Sequence, residues 1–192
     1  LDVSSKAISD LTGIEDFTAL TYLNCQSNQL TNLDVSSNTA LTELNCAYNP
    51  LTSLDVSQST ALASLICGGL FFGPSLTSLD VSNNTALTFL SCAVNQLTSL
   101  DVSQNTALTY LDCYFNKLTS LNVSGCTALT YLSCSDNQLT SLDVGGCTAL
   151  TELYCNENQL TSLDVSQNTS LTVLKCYDNQ LTCLNVKNGN NN

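Results

Sequence analysis

The stretch Leu108-Thr109-Tyr110-Leu111-Asp112-Cys113-Tyr114-Phe115-Asn116-Lys117-Leu118 decides how the chain reads. Leu111 and Cys113 alternate with polar or aromatic neighbours, the period-two pattern of a short half-buried strand. Asn116, three residues after the Cys, suits a tight corner, where its amide can bond exposed backbone groups. The next segment, Thr119-Ser120-Leu121-Asn122-Val123, repeats the alternation with Val in place of Cys.

Working outward, the same unit recurs along the chain. Cys25, Cys46 and Cys67 are 21 residues apart, as are Cys92, Cys113, Cys134, Cys155 and Cys176; only the Cys67–Cys92 step is longer, by four. Each unit reads L-T-x-L-x-C-x-x-N-Q, then L-T-S-L-D-V-S-x-N-T-A. Asn28, Asn49, Asn95, Asn116, Asn137, Asn158 and Asn179 form one rank of corners, and Asn38, Asn84, Asn105 and Asn168 a second. A 21-residue unit has no room for a long helix beside two strands and two corners. The pattern predicts a β-rich solenoid with short parallel β ladders and little helix. Coils stacked about 4.8 Å apart would make eight of them roughly 40 Å long.

L-x-x-L-x-C-x-x-N-x-L, as in residues 108–118, resembles the leucine-rich repeat. The 21-residue unit is similar to the bacterial short form sometimes called IRREKO, common in surface proteins of Bacteroidetes. The resemblance covers about residues 20–186 and implies a right-handed arc, secretion, and recognition of a macromolecule. Residues 1–19 are expected to form an irregular, internalin-like N-terminal turn, 68–75 an insertion in the solenoid, and 187–192 a polar tail that frays. With no cap apparent, end-to-end self-association of solenoids is a further expectation.

Composition excludes several functions. The 192 residues carry 16 acidic and 4 basic side chains, a net charge of −12, with no His, Met or Trp. The four basic residues, Lys6, Lys117, Lys175 and Lys187, leave no Arg. Without His, neither a Ser-His-Asp site nor a His-containing zinc site can form. Four scattered Lys cannot neutralise a nucleic-acid backbone, and an anionic membrane would repel the chain. No apolar run approaches the ~20 residues that span a bilayer. The carboxylates lie along ladders that imply no deep cleft, so no enzymatic activity is expected.

Eleven cysteines invite redox or metal chemistry. The eight at the repeat position share their inward slot with Val, so they read as a reduced ladder in the core. Cys126 and Cys147 occupy the slot of Asn105 and Asn168; the alternatives are structural replacement of Asn or a bridge between the two. Cys183 stands at an outward slot and is the candidate exposed thiol.

The two halves of the unit differ in their outward positions. In the L-D-V half these hardly vary: a Thr rank, a Ser or Asn rank, then Asp34, Asp55, Asp80, Asp101, Asp143 and Asp164. Carboxylates about 5 Å apart repel, by roughly 1 kcal/mol per pair in water. Splay, Ser or Thr hydrogen bonds, raised pKa values or cations must offset this. Asp34, Asp55, Asp80 and Asp101 are the candidate Ca2+ ligands, but no loop supplies the six to eight oxygens calcium takes, so no cofactor or metal is expected. The Thr ranks raise ice binding as an alternative function, weakened by the lack of any T-x-T tripeptide. A purely structural, self-stacking solenoid is the other alternative.

The L-x-C half varies at its third, fifth, seventh and eighth positions, and all seven Tyr fall there. Tyr combines a large ring, a polar tip and few rotors, as recognition surfaces require. The candidate ligand surface is Tyr110, Asp112, Tyr114, Phe115, Tyr131, Asp136, Glu152 and Tyr154, with Glu157 beside them and Phe71 and Phe72 from the insertion. In the insertion, Leu70, Phe71 and Phe72 either fold over the solenoid flank or present an apolar knob. The expected function is non-enzymatic recognition or adhesion at the cell surface or outside the cell, with a protein or glycan as ligand.

Overall fold

A computed structural model describes residues 1–187 and Gly189, so most of the expected fraying tail lies outside the described residues. Twelve strands of three residues each alternate with tight corners: β1 (Tyr22–Asn24), β2 (Glu43–Asn45), β3 (Ser64–Ile66), β4 (Phe89–Ser91), β5 (Ser99–Asp101), β6 (Tyr110–Asp112), β7 (Ser120–Asn122), β8 (Tyr131–Ser133), β9 (Glu152–Tyr154), β10 (Ser162–Asp164), β11 (Val173–Lys175) and β12 (Cys183–Asn185). The helical content among the described residues is one 3-10 turn, Ile14–Asp16.

The L-x-C halves build one continuous parallel sheet in the order β1-β2-β3-β4-β6-β8-β9-β11. Its register stacks Leu23 on Leu44, Leu65, Leu90, Leu111, Leu132, Leu153 and Leu174, so each chemical slot forms a rank along the solenoid. We number its eight coils from the one containing β1. Leu1 to Ser5 extend this sheet: Asp2 bridges Asn24, and Val3 and Ser5 donate to the carbonyls of Asn24 and Gln26. Although Leu1-Asp2-Val3 repeats the letters of the L-D-V half, it sits in register with Leu23-Asn24-Cys25.

The second ladder is broken. Among the described residues only β5–β7 and β10–β12 pair as strands, with a lone bridge between Asp34 and Asp55. In both pairs an Asp faces an Asn: Asp101 opposite Asn122, Asp164 opposite Asn185. The Asn185 amide donates to Asp164 Oδ2 at 3.1 Å. Like charges directly opposite destabilise a strand pair, and an Asp–Asn pair exchanges that repulsion for a hydrogen bond. The two Asn that interrupt the charge run are therefore where the ladder closes.

The core is a dry stack of Leu, Cys and Val, which are almost all fully buried from Leu23 to Val165. Buried backbone at the corners is satisfied by the first Asn rank. Asn116 Oδ1 accepts from Leu97 N (3.0 Å), and its Nδ2 donates to the carbonyls of Cys92 (3.2 Å) and Cys113 (3.1 Å). Asn49 repeats this with Leu30, Cys25 and Cys46. One Asn thus serves both donor and acceptor needs of a buried corner.

In Asn38, Asn84 and Asn105 of the second rank only the amide donors are used. Asn105 Nδ2 donates to Val81 O (3.0 Å) and Asn84 O (2.9 Å), while the buried Oδ1 of Asn38, Asn84 and Asn105 accepts no hydrogen bond. A slot that needs only a donor can be filled by a thiol. Cys126 Sγ donates to Val102 O at 3.3 Å, and Cys147 Sγ to Val123 O at 3.5 Å. The two cysteines are free and buried. Of the alternatives raised by sequence, they take the structural replacement.

The residue before each first-rank Asn is left-handed: Ser27, Tyr48, Val94, Phe115, Asp136, Glu157 and Asp178 have φ between 50° and 58°. A β-branched or bulky side chain is rare there. This turn aims the eighth-slot side chains outward along one edge of the main sheet.

Candidate recognition surface

Parallel register places the third-slot aromatics directly above one another. Phe89 and Tyr110 stack with centroids 4.3 Å apart and planes within 4°, and Tyr110 and Tyr131 do so at 4.4 Å and 5°. Glu152 takes the third slot of the next coil, and the rank shifts to the fifth slot. Tyr154 meets Tyr131 at 5.4 Å with a 39° tilt, and its hydroxyl donates to Glu152 Oε2 at 2.8 Å. Lys175 Nζ caps the Tyr154 ring 5.0 Å from its centroid. The outcome is a rod of four aromatic rings ended by a cation, worth about 0.5–1.5 kcal/mol per ring pair beyond simple burial.

Tyr110 and Tyr131 therefore present their ring edges and hydroxyls, because their faces are covered. Burial first, then the Asp112 charge, pushes the Tyr110 phenol up to about 12 and raises Tyr131 in the same direction. Asp112 lies between Ser91 and Ser133 on neighbouring strands, half-buried, and accepts from Tyr114 N at 3.2 Å.

A second aromatic group stands at the sheet edge. Tyr114 and Phe115 meet at 5.8 Å, and Phe71 of the insertion reaches past the fourth coil to put its ring edge-on to Phe115 at 5.5 Å. Leu70 is half-buried, whereas Phe72 is 94% exposed. Phe71 lies against Phe115 at the sheet edge while remaining 60% exposed, and Phe72 projects. Phe72 is the candidate residue that the fold leaves outside the cluster. Beyond Phe115 the eighth slot turns acidic, with Asp136, Glu157 and Asp178 on three successive coils. Hydrogen bonding with Asp136, then its charge and that of Asp178, raise Glu157 above the usual carboxylate range.

Phe89 and Lys175 are not among the candidate residues read from sequence, yet they extend the aromatic rod at both ends. Their slots carried the signal: Phe89 is one coil before Tyr110 in the third slot, and Lys175 one coil after Tyr154 in the fifth.

The opposite face is satisfied internally. Asp34, Asp55, Asp80, Asp101, Asp143 and Asp164 each accept, through Oδ1, the backbone N–H two residues on, at 2.8–2.9 Å. Hydrogen bonds from the Ser hydroxyl and N–H hold Asp34, Asp55, Asp80, Asp101 and Asp164 below the usual carboxylate range. Of the four ways to offset the stacked charges, hydrogen bonds operate, and the pKa values move down rather than up. No group of three or more Asp, Glu or Cys among the described residues is arranged to hold a metal ion. On this face the hydroxyls of Thr119 and Thr182 donate to the carbonyls of Thr98 and Thr161 on the preceding coil; on the variable half, Thr42, Thr88, Thr109, Thr130, Thr151 and Thr172 do the same from the second slot.

The cysteine ladder offers little reactivity. Burial pushes the Cys25, Cys92 and Cys155 thiols up to about 12 and raises Cys46, Cys67, Cys113 and Cys134 strongly. Cys183 is exposed, as its slot predicted.

Residues 127–168 match the family model of leucine-rich repeats, in two copies. The chain is similar to the functional domain of InlJ from Listeria monocytogenes, which includes a cysteine ladder: 50% identity, 95% of this chain, 40% of that one, TM-score 0.90. A leucine-rich repeat protein of Leptospira interrogans matches at 26% identity over 96% of this chain and 50% of its own, TM-score 0.84. Internalin InlF from Listeria monocytogenes, at 22% identity, shares the fold over 93% of this chain and 58% of its own, TM-score 0.76. The chain thus spans about half or less of the first two relatives. No curated protein matches the sequence. The chain is a leucine-rich repeat solenoid with internalins among its structural neighbours, a fold that fits a protein-binding recognition module. No helix among the described residues is long and apolar enough to cross a membrane.

Proposed function

We propose that the chain is a non-enzymatic recognition module of the bacterial cell surface or exterior, and that it binds a protein through the variable strand face. One observation carries the reading. Both faces point outward, and the L-D-V face is the more exposed, yet it repeats Thr, Ser and Asp, and its carboxylates are satisfied within the solenoid. The other gathers an aromatic rod, an aromatic edge cluster and carboxylates in an order that no repeat constraint requires. Similarity to InlJ supports the setting, and the 21-residue unit keeps its likeness to the IRREKO form.

A protein fits better than a glycan. Sugar rings stack on open aromatic faces, and here Phe89, Tyr110 and Tyr131 cover one another while Lys175 lies over Tyr154. Ring edges and hydroxyls remain, which suit side chains and backbone of a protein partner.

The test is capture from an array of purified extracellular proteins and glycans by the native chain and by Tyr110→Ala/Tyr131→Ala. The native chain is expected to capture a protein that the variant does not, with the variant still folded by circular dichroism although its melting temperature falls with the loss of three ring contacts. A ligand held equally by both would move the site elsewhere.

A further inference from the structure

A groove of about 270 Å3 runs along the variable face from the first coil to the fifth. It exists because the seventh slot holds Ala47, Gly68 and Ala93 in three successive coils, where the fifth coil has Tyr114. Ile66 and Val94 add to its apolar lining. One charged group lines it, Asp112, in the fifth slot of the fifth coil. The serines on the flanking strands are the neighbours of Asp112 in register, and no cation is among the groups that act on it. Its carboxyl is raised by burial, the state of an acid half removed from water without an opposite charge.

An apolar-walled trough ending on a single half-buried carboxylate has a specific complement: a flexible alkyl stem carrying a cation. The stem covers small apolar side chains while the head makes a charge-assisted hydrogen bond to the acid. We infer that the groove is a socket for one Lys or Arg side chain of the protein partner, with the stem along Gly68 and Ala93 and the head on Asp112. This rests on the reading of the variable face as the recognition surface. The surroundings favour a basic segment over a neutral one. Asp136, Glu157 and Asp178 continue the negative field on the next three coils, and the whole chain carries −12. Such a field speeds the approach of a basic partner and repels acidic ones.

The experiment is an amide NMR titration of native chain and Asp112→Asn with the peptide acetyl-Gly-Ser-Arg-Ser-Gly-amide and its citrulline counterpart, which keeps the stem and removes the charge. The arginine peptide is expected to move the amides of Ala47, Gly68, Ala93 and Asp112 saturably. The citrulline peptide on native chain, and the arginine peptide on Asp112→Asn, should bind about tenfold more weakly. Equal response to the two peptides on native chain overturns the socket, a comparison that stands even if the variant folds poorly. Shifts confined to Asp136, Glu157 and Asp178 overturn it too, since they would show only attraction to the acidic rank. The capture assay with Tyr110→Ala/Tyr131→Ala reports separately on the recognition surface: loss there without an arginine response removes the socket and leaves the surface.

Discussion

Tyr110 and Tyr131 lie face to face across adjacent coils, 4.4 Å apart and within 5° of parallel. Such alignment is imposed by the sheet, since consecutive coils pair Leu111 with Leu132 and leave the neighbouring rings no offset along the strand.

That packing makes the solenoid sensitive to base. Burial raises Tyr110 to about 12, and Tyr114 and Tyr131 move the same way. A phenol whose folded pKa is raised gives stability that is complete below its unfolded value, near 10, and is lost as pH rises through the folded value. Denaturant midpoints are expected to hold to about pH 10 and to fall toward pH 12, with a smaller fall in Tyr110→Phe.

At the acid end the sign reverses. Asp34, Asp55, Asp80, Asp101 and Asp164 sit below the usual range because Ser groups hydrogen-bond to their charged forms. Their contribution is complete above the unfolded carboxylate pKa and is lost as pH falls through the lower folded values. Melting temperature should therefore drop below about pH 4. Replacing Asp55, Asp80 and Asp101 by Asn should flatten that drop, and an unchanged profile would show that the rank is not responsible.

The two Asn ranks should respond differently to the same substitution. Asn116→Cys strips Leu97 N of its acceptor, a need that a thiol cannot meet, and should cost about 2–3 kcal/mol. Asn105→Cys reproduces what Cys126 and Cys147 already do and should cost about 1 kcal/mol or less. Urea unfolding of both variants checks the contrast.

Thiol chemistry should separate the cysteines by burial. In native protein at pH 8, a disulfide reagent is expected to react with Cys183 at once and with half-buried Cys176 more slowly. The nine buried cysteines should react only after unfolding. Mass mapping of the labelled positions reads this out, and rapid labelling of Cys113 would contradict the dry ladder.

The fold was legible because the 21-residue step ties every residue to a rank, and the Leu, Cys and Asn ranks then follow from burial and hydrogen bonding alone. The aromatic rod was half legible. Slot positions predicted which rings are exposed, but whether Tyr110 shows its face or its edge depends on the spacing of coils. The break in the second ladder was hidden for another reason. Repeat letters are nearly the same in paired and unpaired coils, and only the single change from Asp to Asn at 122 and 185 marks where strands close. The groove was hidden too, since three small residues far apart in sequence, Ala47, Gly68 and Ala93, mark a trough only once the register aligns them.

The first-rank asparagines also give the solenoid a direction. Asn49 satisfies Leu30 N and Cys25 O, so the corner of one coil is completed by an amide from the coil that follows it. During synthesis from the N-terminus, a coil that has left the ribosome keeps open polar groups until the next 21 residues emerge. Maturation of each coil therefore lags translation by one repeat. Deleting a coil from the C-terminal side strips an amide acceptor such as Asn49 Oδ1 from the corner behind it, whereas deletion from the N-terminal side removes a carbonyl such as Leu97 O, which accepts from Lys117 N.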